Sequence, residues 1–131
     1  MIQEFIDRFM DKKDDLRAVF AEKHPEDYID IVRAIVNLLH DPSDYRSIDP
    51  ARIHQIDYGE GFSGALIFVI ASSGYQPDQF WYTMVDYGSC TGCDALLSIR
   101  GYGHEKPTDE QISDYMTLAL HILQKMKKIT Y

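Results

Sequence analysis

The apolar periodicities predict an α+β domain. It is a small antiparallel meander of three strands, four on an alternative reading, packed with two N-terminal helices, a short helix and a long C-terminal helix. Three observations carry that prediction. Helical spacing fills the N-terminal third, short apolar runs divided by Gly, Ser and Pro fill the middle, and a capped amphipathic stretch comes near the C-terminus. At 131 residues, 45% apolar and 26% charged, the chain is long enough for one core and has ordinary globular composition. No repeat, low-complexity tract or shift in composition divides it, so 1–131 reads as a single domain.

From Ile2 to about Glu22 the apolar residues Ile2, Phe5, Ile6, Phe9, Met10, Leu16, Val19 and Phe20 mark one face of a helix, interrupted at Lys13. His24-Pro25 ends it, and Pro25 suits the first position of a second helix running to His40, with Glu26 and Asp27 against its dipole. That helix is apolar on more than one side and is expected to be the more deeply buried. Asp41 to Arg52, punctuated by Pro42 and Pro50, reads as a loop. Its acids Asp41, Asp44 and Asp49 lack the alternating ligands and the glycine of a calcium loop, so they read as solvated.

The strands are expected at Ile53–Tyr58, Ala65–Ser72 and Gln79–Tyr87, joined by the turns Gly59–Gly64 and Ser73–Asp78. The continuous apolar run of the second suits a strand buried on both faces. The glycines from Gly59 to Gly64 are not followed by Gly-Lys-Ser/Thr or by a helix, so they read as a hairpin turn and not a phosphate loop. Ala95–Arg100 reads as a short helix, with a fourth strand as the alternative. Thr108 and Gln111 form a capping box for the last helix, whose buried stripe is Ile112, Tyr115, Met116, Ala119, Leu120, Leu123 and Met126. Lys125, Lys127 and Lys128 suit its C-terminal end.

Charge narrows the function. The net charge of −8, from 21 acidic against 13 basic residues, argues against binding nucleic-acid phosphates, which needs a positive footprint. It is compatible with a basic protein partner, or simply with solubility. The longest apolar stretch, Ala65 to Ala71, is too short to span a bilayer, and Met1–Glu4 shows no leader pattern, so no membrane role and a cytoplasmic location are expected.

Both cysteines lie in Tyr87-Gly88-Ser89-Cys90-Thr91-Gly92-Cys93-Asp94, directly after the aromatic Phe80-Trp81-Tyr82. Cys90 and Cys93 have the spacing of half a tetrahedral zinc site, which His54, His104, Asp94 or a second chain would have to complete. Thiol redox chemistry is a second reading, opposed by Asp86 and Asp94, whose negative charge raises a thiol pKa, and by the lack of a βαβ unit. The third reading is a tight glycine-bearing turn with small buried thiols. His24 and His40, at helix ends, read as surface residues, and His121 as lying on the polar face of the last helix. No nucleophile elbow or zinc-protease helix is present, and no residue is assigned a catalytic role.

The cysteine stretch, with Phe80-Trp81-Tyr82, resembles a family of small uncharacterised proteins encoded by bacteriophages and prophage regions. Asp114-Tyr115-Met116-Thr117-Leu118-Ala119-Leu120-His121 and Ile53-His54-Gln55-Ile56-Asp57-Tyr58-Gly59 are similar to it too. The resemblance implies a phage gene expressed in a bacterial cytoplasm. It transfers no activity, cofactor or catalytic residue. The expected function is a non-enzymatic protein-interaction module that contacts a host or phage protein, with homo-oligomerisation open. Trp81, Tyr82, Tyr87 and Asp94 are its candidate interface residues, against the alternative that Trp81 and its neighbours are core. The competing expectation is a zinc or thiol site at Cys90 and Cys93.

Overall fold

A computed structural model describes residues 2–44, 46–60, 63–74, 76–88, 95–100 and 106–129. The N-terminal stripe folds as two helices and not one, α1 (Ile2–Asp11) and α2 (Lys13–Glu22). The break is Lys12, whose φ of −111° and ψ of 17° leave the helical basin. A continuous helix would carry Lys13 round toward the core between Phe9 and Leu16. The break instead lets Phe9, Leu16 and Phe20 all bury while Lys12 and Lys13 stay in water. Met10 and Val19, expected in the buried stripe, are half exposed.

The second expected helix begins later than Pro25, as α3 (Tyr28–Leu39). Pro25 lies buried ahead of it, and Asp30 Oδ2 accepts the N–H groups of Glu26 and Asp27 at 3.1 Å each, tying down the entry to its first turn. Ile31, Val32, Ile35, Val36 and Leu39 have no exposed surface, so this is the central helix, as its sequence predicts. At its other end Arg8 Nη1 donates to Leu39 O at 2.6 Å, covering a carbonyl that the helix itself cannot pair. His40 is not a plain surface residue. Its Nδ1–H donates to Ile48 O at 2.8 Å, which joins the helix end to the first strand.

That strand, β1 (Ile48–Glu60), starts earlier than Ile53 because the expected loop is shorter than Pro50 implies. Pairing with the next strand shifts register between Ile48 and Ile53, so Pro50 falls where no ladder donor is required. In the preceding turn, Asp41 accepts from Ser43 N (3.0 Å) and Asp44 from Arg46 N (2.9 Å). At the irregularity Asp49 accepts from Ala51 N (2.9 Å). Three side chains thus fold back on the backbone two residues ahead, which accounts for the run of acids by conformation.

β1, β2 (Ser63–Ser72), β3 (Phe80–Gly88) and β4 (Lys127–Lys128) form one antiparallel sheet in that order. The fourth strand is therefore neither Ala95–Arg100, which is the short helix α4, nor part of the last helix. The last helix, α5 (Asp109–Gln124), carries the predicted capping box: Thr108 Oγ1 accepts from Gln111 N at 3.2 Å, and Gln111 Oε1 accepts from Thr108 N at 2.9 Å. Lys127 and Lys128 pair with Tyr82 and Trp81 instead of extending the helix. Ile122 belongs to the buried stripe, whereas Met116 and Leu120 are half-buried.

The core lies between the helices and one face of the sheet. Phe68 and Ile70 of β2 and Trp81, Thr83 and Val85 of β3 are buried there, with Thr83 Oγ1 donating to Ile122 O at 2.9 Å. Tyr115 is fully buried beside Phe20 and shares a 2.6 Å hydrogen bond with His24 Nδ1, which makes His24 a core-edge residue and not a surface one. Burial pushes the Tyr115 hydroxyl up to about 12, an effect that the nearby Arg100 charge opposes. Among the described residues no helix is long and apolar enough to cross a membrane.

Candidate interaction face

Strand side chains alternate between faces, so whatever does not point into the core points away from it. On β2 this alternation corrects the expectation of burial on both faces. Phe68, Ile70 and Ser72 are buried, but Ala65, Ile67, Val69 and Ala71 are only half-buried, because every described helix that contributes to the core does so from the other side. The same holds on β3, where Tyr82 is 37% and Met84 47% exposed between Trp81, Thr83 and Val85.

The register assembles these positions into rows across the sheet. Tyr58, Ala65 and Asp86 form one row, and Ile56, Ile67 and Met84 the next. His54, Val69, Tyr82 and Lys127 form the third, followed by Ala71 and Phe80. The outer face is thus an apolar field of three strands with Tyr58, at 64%, the most exposed large hydrophobic residue among those described on it. In these rows formal charge stands at Asp86 at one end and at Lys127 at the far side.

The expected interface residues fall differently. Tyr82 lies on this open face. Trp81 points the other way and is 6% exposed, packed against Phe5 at 6.0 Å between ring centroids with Lys128 Nζ 6.0 Å from its ring. Tyr87 is on the core side at the sheet's end. It pairs with Gly64, whose missing side chain lets the ring reach across β2, and its hydroxyl donates to Asp57 Oδ1 on β1 at 2.6 Å. That bond to a carboxylate raises the Tyr87 pKa, since the hydroxyl proton is what holds the pair together. Asp94 lies outside the described residues, as do Cys90, Cys93 and His104.

His54 is exposed on the outer face in the Tyr82 row. Gly88, the last described residue before the cysteines, is six positions further along β3, about 20 Å away at ~3.4 Å per residue. The structure therefore does not bring His54 to the strand end that leads into them. Among the described residues no group of three His, Cys, Asp or Glu side chains could hold a metal. His121 is exposed on α5.

A second feature is a cleft of about 380 Å³ at the core-side end of the sheet, lined by Asp57, Tyr87, Leu66, Tyr28, Leu96 and Arg100 among others. Arg100 Nη1 donates to Glu26 O at 2.9 Å, and the buried Tyr28 hydroxyl accepts Leu96 N at 3.1 Å, so α4 is held against the start of α3.

The open-face residues that sequence reasoning missed are Ile56, Tyr58, Ile67, Val69 and Met84. Their period-two spacing is visible in the sequence. What it lacks is a sign that all the described helices share one side. No family model, curated protein or solved structure matches the chain.

Proposed function

We propose that the protein is a non-enzymatic interaction module and that the outer sheet face is its binding surface. The observation that supports this is the row Ile56–Ile67–Met84, flanked by Tyr58 and Tyr82, left uncovered by the described helices. Contiguous apolar surface of this kind on a folded domain marks a place where something docks, and exposed Tyr and Met are adaptable anchors for it. The negative overall charge fits a protein partner better than a nucleic acid. The phage setting implied by the resemblance fits a small binding protein.

The test is the size of the particle in which the protein runs in a bacterial lysate, compared with Ile56→Glu, Ile67→Glu and Met84→Glu. Wild-type protein is expected in a larger particle, and each variant as a monomer with an unchanged melting temperature. Indistinguishable particles for all four would contradict the assignment.

A second reading rests on the cleft. Tyr87, three residues before Cys90, and Leu96, three after Cys93, both line it beside Asp57 and Arg100. A zinc-binding or thiol-redox site at Cys90 and Cys93, with His104 as a third donor, would then open beside polar side chains. Zinc content of protein purified without chelator, together with counts of reactive thiols before and after reduction, decides it: one zinc with protected thiols, or two thiols that react only after reduction, supports a site, and no zinc with the same thiol count before and after reduction removes it.

A further inference from the structure

We propose that the occupant of the outer face is a second copy of this chain, the two sheets stacking face to face about a twofold axis that lies between them and crosses the strands along the Ile56–Ile67–Met84 row. This rests on the reading of the face as a binding surface and names its partner. The argument is complementarity of the face with itself.

A twofold contact requires one patch to match its own inverted image. With the axis along that row, Ile56, Ile67 and Met84 meet their own copies at the centre. The Tyr58–Ala65–Asp86 row then lies over the partner's His54–Val69–Tyr82–Lys127 row, as the strand register dictates. Small Ala65 is set against larger Val69, and Phe80 comes over the glycine at position 88. Asp86 comes over the partner's Tyr82, one strand from the partner's Lys127. Neither Asp86 nor Lys127 takes part in an ion pair within the chain among the described residues. The inversion brings this acid and base together twice, and in these rows it places no like charges opposite one another.

Size sets the expected strength. Four rows on three strands, spaced ~6.8 Å and ~4.8 Å apart, cover about 400 Å² in plan. This is about half of the roughly 800 Å² that each partner gives to a standard stable interface. The dimer is therefore reversible, with the sheets ~10 Å apart as in a β-sandwich.

Sedimentation velocity of the purified protein over a wide concentration range tests this. Wild type is expected to pass from monomer to dimer, and Met84→Glu to stay monomeric at every concentration. Asp86→Lys is expected to weaken the dimer by about tenfold, because the dyad counts the altered contact twice. Adding Lys127→Asp to Asp86→Lys is expected to restore it. A dimer that ignores these substitutions would overturn the proposal. So would a wild-type monomer at all concentrations. If that monomer still ran in a face-dependent larger particle in lysate, the binding surface would stand with a different occupant; if it did not, both readings would fall.

Discussion

Met84 and Val85 are neighbours on β3 and face opposite ways: Met84 is 47% exposed and Val85 6%. One peptide separates the hydrophobic core from an apolar surface left open by the described helices. The two residues look equally apolar in the sequence, yet they serve different ends.

They should therefore respond oppositely to charge. Val85→Asp buries a carboxylate with no partner and is expected to cost at least about 3 kcal/mol, or to prevent folding. Met84→Asp removes exposed apolar surface and should stay within about 0.5 kcal/mol of wild type. Urea unfolding of both variants checks the contrast.

Ser72 offers a stabilising substitution. Its side chain is fully buried, and among the described residues its hydroxyl has no hydrogen-bond partner, although its backbone N–H donates to Gln79 O at 2.9 Å. Ser72→Ala removes an unsatisfied polar atom without opening a large cavity. It should raise stability by up to about 1 kcal/mol. A lower denaturation midpoint for the variant would mean that the hydroxyl is satisfied.

Stability should fall at both ends of the pH scale for separate reasons. Tyr115 has its pKa raised from 10.0 to about 12 by burial, so the folded chain keeps a proton that the unfolded chain loses. Its contribution is complete below pH 10 and is lost as pH rises toward about 12. Asp41 is depressed below 3.8 by the Ser43 hydroxyl and N–H, so its contribution is present above that value and is lost on further acidification. Asp49 behaves alike: burial works to raise it but is outweighed by the Ala51 N–H, the Ser73 hydroxyl and the His40 and Arg52 charges. Thermal melts from pH 2 to 12 should show that Tyr115→Phe flattens the alkaline decline and Asp41→Asn the acid one.

Local signals were read well from the sequence, and relationships between elements were not. The Thr108–Gln111 capping box is a pattern within four residues and is found where expected. The depth of α3 followed from apolar residues on several sides. The break at Lys12 was visible only as a stripe interrupted at Lys13, since where a helix splits depends on what Phe9 and Leu16 must both reach. Pro50 concealed the start of β1, because proline is excluded from regular ladders but tolerated at an irregularity such as that between Ile48 and Ile53. His24 and His40 were legible as helix-end residues, but their partners Tyr115 and Ile48 O belong to other elements. The open face was hidden for the same reason. Ile67 and Val69 have the composition of a strand buried on both sides, and only the common placement of the described helices leaves them uncovered among the described residues.

The most direct test of the binding face uses two methionines with nearly the same exposure. Met10 on α1 is 50% exposed and Met84 on the outer face 47%, so mild peroxide should oxidise both at similar rates in dilute protein. In concentrated protein or in bacterial lysate, Met84 should become several-fold slower than Met10, as read by peptide mass spectrometry. Equal rates for the two methionines under every condition would contradict a covered face.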